Sequence, residues 1–505
     1  MGRLKPTLIL GGPGCGKTTA LLKIVEAAFS RGVAPDRIAF VAFTRRAAQE
    51  AKERMVEKFG LSIDDIPYFK TLHSFAFTQL DVEPGQILDG AKLAAYAKAE
   101  GLELSAEYVD EFGQIETTPT TDDERALTAL SLARLTRRDL EDVIIEANLD
   151  YEYVSKLADD YELFKKQSLL VDFTDLIVQF VDEATVPQFD LLIVDEAQDL
   201  SKLQWAMVDK LADESKDVYF AGDDDQAIYS WAGADIEHFL NLDADREVLP
   251  TSYRLKRTVF DACQNVINCV DDRYPKDWQP HADGGEVDFV GFLDQLDMSE
   301  GTWFLLARTN FLVKKYTKHL RAEGLPYIMA TRQGLKSSVE VEPVQAALVY
   351  ENLKSGKTFN GQQLRVVWDN IDTKIRPTTG PVFEDAESYG IDDLCSTGFD
   401  PTPSWLDALS ISGGMQEYIR AIRARGESLT KQPRITASTI HGVKGGEADN
   451  VVINQKLSAR TYSSWVDCAP NEYRVLFTAM SRAKERLIFL HSTNKANYGV
   501  ERILQ

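Results

Sequence analysis

Cysteine is scarce. The chain has five in 505 residues (Cys15, Cys263, Cys269, Cys395 and Cys468), and no two stand at C-x-x-C spacing. That pattern excludes a disulfide framework and a zinc ribbon. Long apolar runs are missing too, and none approaches the roughly 18 residues that a membrane-spanning helix needs. Near the N-terminus the one apolar stretch, residues 7–10, gives way to glycines and is too short for a secretory signal. Residue 6 is Pro, where a myristoylation signal wants Ser or Thr. Positive charge is outnumbered: 56 Lys and Arg stand against 79 Asp and Glu, a net charge of −23. Spread evenly, that balance would work against nucleic acid, which favours basic surfaces. It is not spread evenly, because residues 81–165 hold 21 acidic against 8 basic side chains. Salt screens charges beyond about 10 Å, so a basic groove elsewhere is compatible with the total. Hydrophobic residues at 44% and charged residues at 27% are ordinary for a globular chain. The expectation is a soluble, cytoplasmic protein of several domains with no membrane association.

Apolar runs rich in β-formers occur at 7–10, 37–43, 189–194 and 218–221, and again at 302–306, 434–438, 450–454 and 486–491. Helical patterns separate them. Continuous apolar strands between helices indicate parallel sheets covered on both faces, so the fold class is α/β. The runs form two clusters, 1–260 and 250–505, each interrupted. The first interruption, 81–170, reads as helical at 91–100, 121–134, 140–148 and 151–166. The second, 335–432, has Gly-, Pro- and Ser-rich stretches at 378–381 and 398–404 and specifies no regular pattern.

Gly11-Gly12-Pro13-Gly14-Cys15-Gly16-Lys17-Thr18 fits G-x-x-x-x-G-K-[ST], between a strand and a helical run at 19–29. Glycines let backbone N–H groups wrap phosphates, Lys17 supplies a point charge, and Thr18 can reach Mg²⁺. Cys15 reads as a small filler in this loop. The second half of such a site is Leu191-Leu192-Ile193-Val194-Asp195-Glu196-Ala197-Gln198-Asp199. A buried strand there delivers two carboxylates at its C-terminal end, where open α/β sheets bind ligands. Asp195 is expected to hold Mg²⁺ through water, and Glu196 to orient and deprotonate an attacking water.

The Asp195–Asp199 run beside this loop resembles the UvrD/Rep/PcrA-type superfamily 1A DNA helicases. Further segments are similar to that family's motifs, in its order. Ala42-Phe43-Thr44-Arg45-Arg46-Ala47-Ala48 resembles F-T-N-K-A-A, and Thr71-Leu72-His73-Ser74-Phe75 resembles T-x-H-S-F. Gly222-Asp223-Asp224-Asp225-Gln226-Ala227-Ile228-Tyr229-Ser230-Trp231 is similar to G-D-D-D-Q-S-I-Y-S-W. Ser252-Tyr253-Arg254 resembles the segment with an adenine-stacking Tyr and an arginine finger, and Leu306-Ala307-Arg308-Thr309-Asn310 resembles L-x-R-T-N. Thr439-Ile440-His441-Gly442-Val443-Lys444-Gly445-Gly446-Glu447 is similar to T-x-H-x-x-K-G-x-E. The run from Glu472 to Ala483 resembles the closing R-L-x-Y-V-A-x-T-R-A motif.

The resemblance implies two RecA-like parallel-sheet P-loop domains, each with an accessory insertion. The first domain would be 1–80 with 171–250, and the acidic helical insertion 81–170. The second would be 251–335 with 433–505, and its shortened insertion 336–432. It implies ATP and Mg²⁺ as cofactors and hydrolysis driving 3′-to-5′ movement on single-stranded DNA and unwinding of 3′-tailed duplex. The Ile228–Trp231 continuation belongs to the branch with that polarity. By resemblance, Lys17, Glu196, Gln226, Arg254 and Arg482 are catalytic. Gly11, Gly12, Pro13, Gly14, Cys15, Gly16, Thr18 and Thr19 surround the nucleotide, with Tyr253 on adenine and Glu447 on the ribose. Phe43, Thr44, Arg45, Arg46, Thr71, His73, Tyr229, Trp231, Arg308, Asn310, Thr439 and His441 would contact DNA. His73 and His441 are open to a second reading as structural histidines. None of the ten residues before Gly11 is the Gln that the family uses to read adenine, so relaxed base specificity is expected. Thr19, Ala232 and Gly446 stand where the family often has Arg, Arg and Leu. Three alternatives to a DNA helicase stay open: a translocase that strips proteins from single strands but unwinds weakly, a non-catalytic scaffold, and a motor on RNA, because single-strand stacking does not exclude the 2′-hydroxyl. The acidic insertion is either a solvated subdomain or the seat of a protein partner. A monomer is favoured.

Overall fold

The computed structural model describes residues 5–43, 45–105, 119, 121–331, 334–378, 380, 382–385, 387–467 and 469–504, without the side chains of Arg46, Ala330 and Thr331. The chain forms two compact units. One runs to Val287 and takes in Ala459–Glu485 and the residues from Gly499 onward; the other is Asp288–Ser458 with Arg486–Tyr498. Residues 251–287 and Ala459–Glu485, expected from the sequence in the second domain, are thus grouped with the first.

The first unit is built on β1 (Thr7–Leu10), β2 (Ile38–Ala42), β3 (Phe69–Thr71), β4 (Phe189–Val194), β5 (Ser215–Gly222) and β6 (Asp245–Val248). They form one sheet in the order β3-β2-β4-β5-β1-β6, with every neighbouring pair parallel. The period of two along these strands explains why both faces are covered. Leu8, Leu10, Ala39, Val41, Leu192 and Val194 enter one apolar cluster. Their neighbours Ile9, Ile38, Phe40, Ala42, Leu191 and Ile193 enter another. Strand β5 separates β1 from β4, so the phosphate loop and the acidic strand end lie one strand apart.

Between Leu72–Gln79 and Phe173–Glu183, the helices Gly90–Glu100, Asp122–Thr136, Leu140–Glu146 and Tyr151–Ser168 pack around their own cluster of Leu93, Tyr96, Leu127, Leu130, Ile144, Val154 and Leu157. A buried ionic cluster ties these helices to the rest of the unit. Lys165 reaches Asp172 at 2.9 Å and Asp175 at 2.7 Å, and Arg134 donates to Asp172 at 2.9 Å. Asp172 also caps Phe173–Glu183 by accepting from the Asp175 N–H at 2.7 Å. The unit is completed by β7 (Thr251–Lys256) paired in parallel with β8 (Gln279–Ala282), and by the helices Arg257–Ile267 and Pro470–Met480, which pack together.

The second unit contains β9 (Glu286–Val290), β10 (Trp303–Ala307), β11 (Tyr327–Thr331), β12 (Gly334–Ser337), β13 (Phe359–Asn360), β14 (Ser388–Tyr389), β15 (Ile435–Thr439), β16 (Ala448–Asn454) and β17 (Ala483–Leu490). Seven of these form a sheet, β12-β11-β15-β10-β16-β17-β9; β11, β15, β10 and β16 run parallel, and β12 is antiparallel. Residues 335–432, which specify no pattern in the sequence, hold the helices Glu342–Lys354, Gly361–Asn370, Ile391–Cys395, Trp405–Ala408 and Gly413–Ala424. They share one core with the sheet: Val344, Tyr350, Trp405 and Ile422 lie in the same cluster as Trp303, Leu305 and Tyr316. Among the described residues, no helix is long and apolar enough to cross a membrane.

Candidate nucleotide site and nucleic-acid contacts

The loop from Gly11 to Gly16 leaves β1 and feeds the helix Lys17–Ser30. Gly16 stands at φ +80° immediately before that helix, a left-handed conformation that glycine adopts without strain. Lys17 is buried and its Nζ donates to the Gly11 carbonyl at 2.8 Å, so its charge is held at the mouth of the loop. Thr18 Oγ1 donates to Asp195 Oδ2 at 3.0 Å. A hydroxyl and a carboxylate oxygen converging beside a helix N-terminus make the hard oxygen set that suits Mg²⁺. Asp195 is buried, and burial together with the neighbouring Glu196 charge pushes its carboxyl up to about 6. A divalent cation would relieve that excess of negative charge, so the residues present fit both a nucleotide phosphate and its metal. Burial pushes the Cys15 thiol up to about 11, which fits an inert filler. Thr19 is exposed.

Glu196 adopts φ 55°, a left-handed conformation uncommon for a side chain of its size. It stands at the head of a hydrogen-bonded chain. Gln198, fully buried, donates to Glu196 Oε2 at 2.6 Å and accepts from the Asp223 N–H at 3.0 Å. Gln226 Nε2 donates to Asp223 Oδ2 at 2.7 Å, and Arg482 donates to Gln226 Oε1. Burial, with Arg254 nearby, pulls the Arg482 guanidinium down to about 9. Arg254 Nη1 donates to the Ser481 carbonyl at 3.4 Å. The β7 segment also touches the loop: Ser252 Oγ donates to the Pro13 carbonyl at 2.7 Å and the Tyr253 N–H to Gly14 at 2.9 Å. The Tyr253 ring is 69% exposed, 5.8 Å from that of His281. An open aromatic face beside the loop is free to stack.

Three residues of this site carry no motif signal in the sequence reading. Lys276 Nζ, with no exposed side-chain surface, pairs with Asp223 at 2.9 Å, Asp225 at 3.0 Å and Asp224. Arg273 reaches Asp225 at 2.6 Å. Trp278 packs so closely on Gly12 that a Cβ there would lie 2.5 Å from its ring. Three consecutive aspartates after a buried strand need countercharge, and that was the available signal.

Phe43, Tyr229 and Trp231 come together, with ring centroids 5.3 Å apart for the first pair and 6.4 Å for the second. Trp231 is 36% exposed. Arg45 is exposed at the start of Arg45–Phe59. Thr44 and the Arg46 side chain lie outside the described residues. Thr71 is buried and its hydroxyl caps Leu72–Gln79 by accepting from the Ser74 N–H at 3.3 Å. Burial, with Arg45 nearby, pulls His73 down to about 4, so at pH 7 its ring can hydrogen-bond but carries no charge. In the second unit, Arg308 and Asn310 follow β10, while Thr439 ends β15 and His441 follows it. The two strands are neighbours, with Ala307 opposite Thr439, so these four residues share one end of the sheet. Glu447 precedes β16, the neighbour of β10 on its other side.

Residues 3–247 match the UvrD/REP helicase N-terminal domain, and residues 434–490 the UvrD-like helicase C-terminal domain. The chain is 26% identical over 434 residues to the ATP-dependent DNA helicase PcrA of Leuconostoc citreum, covering 83% of this chain and 56% of that protein. It is 30% identical over 304 residues to PcrA of Bacillus subtilis (strain 168), covering 56% of this chain and 40% of that protein. The chain thus spans about half the length of the curated relatives it matches. An arterivirus helicase, nonstructural protein 10, aligns at TM-score 0.34 and 11% identity over 99% of this chain and 62% of that one, an overlap too slight to argue from. With both helicase domain models matched in order, and with the phosphate loop and acidic strand end meeting through Thr18 and Asp195, the chain belongs to the UvrD/Rep helicase family.

Proposed function

We propose that the chain is an ATP-dependent DNA helicase that moves 3′-to-5′ along single-stranded DNA. The observation that carries this is the chain of hydrogen bonds from Glu196 through Gln198, Asp223 and Gln226 to Arg482. Three residues beyond Gln226 stands Tyr229, in the aromatic group with Phe43 and Trp231. A change at the γ-phosphate therefore has a short covalent route to a surface on which bases can stack. Stacking of about 1–3 kcal/mol per base without sequence preference suits a motor that must accept any base. The names of its PcrA relatives point the same way.

In this reading ATP lies along Gly11–Thr18, with Tyr253 on the base. Glu196 takes the proton of the attacking water. Lys17, Arg254 and Arg482 stabilise charge on the transferring phosphoryl group, where an arginine finger contributes about 10³–10⁵ in rate. Mg²⁺ held by Thr18, and through water by Asp195, would neutralise charge on the β- and γ-oxygens. Gln226 senses loss of the γ-phosphate. The grouping of the chain into two RecA-like domains, each with an insertion, belongs to the same proposal.

Matched duplexes with a 3′ or a 5′ single-stranded tail test it. Unwinding confined to the 3′-tailed duplex supports the polarity, and preference for the 5′ tail overturns it. A second reading, a translocase that displaces bound protein but unwinds weakly, is favoured by the core that 335–432 shares with its sheet. Among its described residues, that region packs into the core of the sheet rather than into a core of its own. Displacement of a protein block without duplex unwinding would establish this second reading.

A further inference from the structure

We propose that the exposed face of the helix Asn310–Ala322, carried by Phe311, Lys315 and Lys318, is a further contact surface for single-stranded DNA, continuous with Arg308 and Asn310. The proposal rests on the nucleic-acid reading above and extends it along a helix of which only the first residue, Asn310, belongs to a family-like motif.

The sequence of this helix, NFLVKKYTKHLRA, holds Lys314, Lys315, Lys318, His319 and Arg321 and no acidic residue, in a chain whose net charge is −23. Helical spacing sorts it into two faces. Leu312, Val313, Tyr316, Thr317 and Leu320 are buried, while Phe311, Lys314, Lys315 and Lys318 are exposed. Among the described residues, neither Lys315 nor Lys318 is paired with a carboxylate. His319 Nε2 on the same helix lies 3.5 Å from Asp294 Oδ1.

Local stability does not account for the pattern. The positive end of a helix favours acidic side chains in its first turn, yet this helix has none there and places two lysines just after it. Phe311 is 66% exposed at that same end, with Lys315 Nζ 4.9 Å from its ring centroid. An exposed aromatic ring with Lys315 and Lys318 on the same helix face combines a base-stacking platform with phosphate contacts. The ring directly follows Asn310, at the sheet end where Arg308, Thr439 and His441 also lie. Complementary charge and continuity with those residues select a single strand over an acidic peptide as the occupant.

The test measures binding of a fluorescein-labelled oligothymidylate across a salt series. Wild type is compared with Phe311→Ala, Lys315→Gln/Lys318→Gln and Lys315→Arg/Lys318→Arg, and thermal unfolding checks the fold of each. The double Gln variant should bind about tenfold more weakly at about 0.1 M salt, with the slope of log affinity against log salt reduced by about 1.4. Phe311→Ala should lose about fivefold or more with the slope unchanged. The double Arg variant should bind like wild type. Gln and Ala variants that bind like wild type, or Gln and Arg variants equally impaired, would overturn the proposal. So would double-Gln loss of polyglutamate binding with oligothymidylate binding intact, which would assign the face to a protein. Wild type that fails to bind oligothymidylate at all would overturn the nucleic-acid reading itself.

Discussion

Replacing Lys276 with Met removes one cation from three buried carboxylates. In the native chain, its ammonium pairs with Asp223, Asp224 and Asp225, and Arg273 contributes a second cation in contact with Asp225. Met fills similar volume, so the loss is electrostatic. Breaking a buried ion pair by removing one partner costs about 3–5 kcal/mol, a large share of the roughly 5–15 kcal/mol that holds a domain folded. The pH dependence separates this cause from poor packing. Burial already raises the Asp224 carboxyl above its ordinary range, and without Lys276 the carboxyl of Asp223, which that ammonium now holds down against its burial, should rise too. A carboxyl raised in the folded state binds more protons there than in the unfolded chain. Its stabilising contribution is full below the unfolded pKa of about 4 and is lost as pH rises through the folded value. The deficit of Lys276→Met should therefore be largest at about pH 8 and shrink toward about pH 5.5. Urea unfolding of both proteins at the two pH values measures it. Adding Asp224→Asn to the variant should recover part of the loss. A deficit under about 1 kcal/mol, or one equal at both pH values, would refute the reasoning.

Asp172→Asn should destabilise the first unit by about 2 kcal/mol near neutral pH, read by urea unfolding, because Arg134 and Lys165 hold that carboxyl, against its burial, down to about 2. The corresponding wild-type stability is present above the unfolded pKa of about 4 and is lost as pH falls through about 2, so acid unfolding should report it. Gly12→Ala should cost about 1–3 kcal/mol in thermal or urea unfolding by displacing the Trp278 ring, and combination with Trp278→Leu should be less than additive. Trp231→Ala should weaken single-stranded DNA affinity by about fivefold or more while nucleotide affinity stays unchanged, measured by separate titrations.

The sequence located the elements that carry strong local pattern. The strand expected at 7–10 is β1 and that at 189–194 is β4, because short apolar runs beside turn residues, broken in the second only by Asp190, leave little choice of boundary. The four insertion helices lie within a few residues of their expected ends, each opened by an Asp or Thr N-cap. Edge strands escaped. Phe69–Thr71 is too short to show alternation, and Asp245–Val248 carries three charged residues. Residues 335–432 escaped for another reason: Glu342–Lys354 is buried on most sides and shows little amphipathic period. In the candidate site, spacing brought Lys17, Thr18, Asp195 and Glu196 into view. Lys276, Arg273 and Trp278 lie roughly fifty residues beyond the aspartates or far from the loop they touch, and only tertiary packing brings them there.

In the proposed motor, nucleotide hydrolysis at Glu196 answers to a single strand bound elsewhere on the chain. ATP turnover of wild type and of Glu196→Gln, each with and without single-stranded DNA, tests it most directly. Strong stimulation of wild type by DNA, absent in a Glu196→Gln protein that still binds ATP, is the predicted result. Wild-type turnover indifferent to DNA, or stimulated turnover that survives in Glu196→Gln, would contradict it.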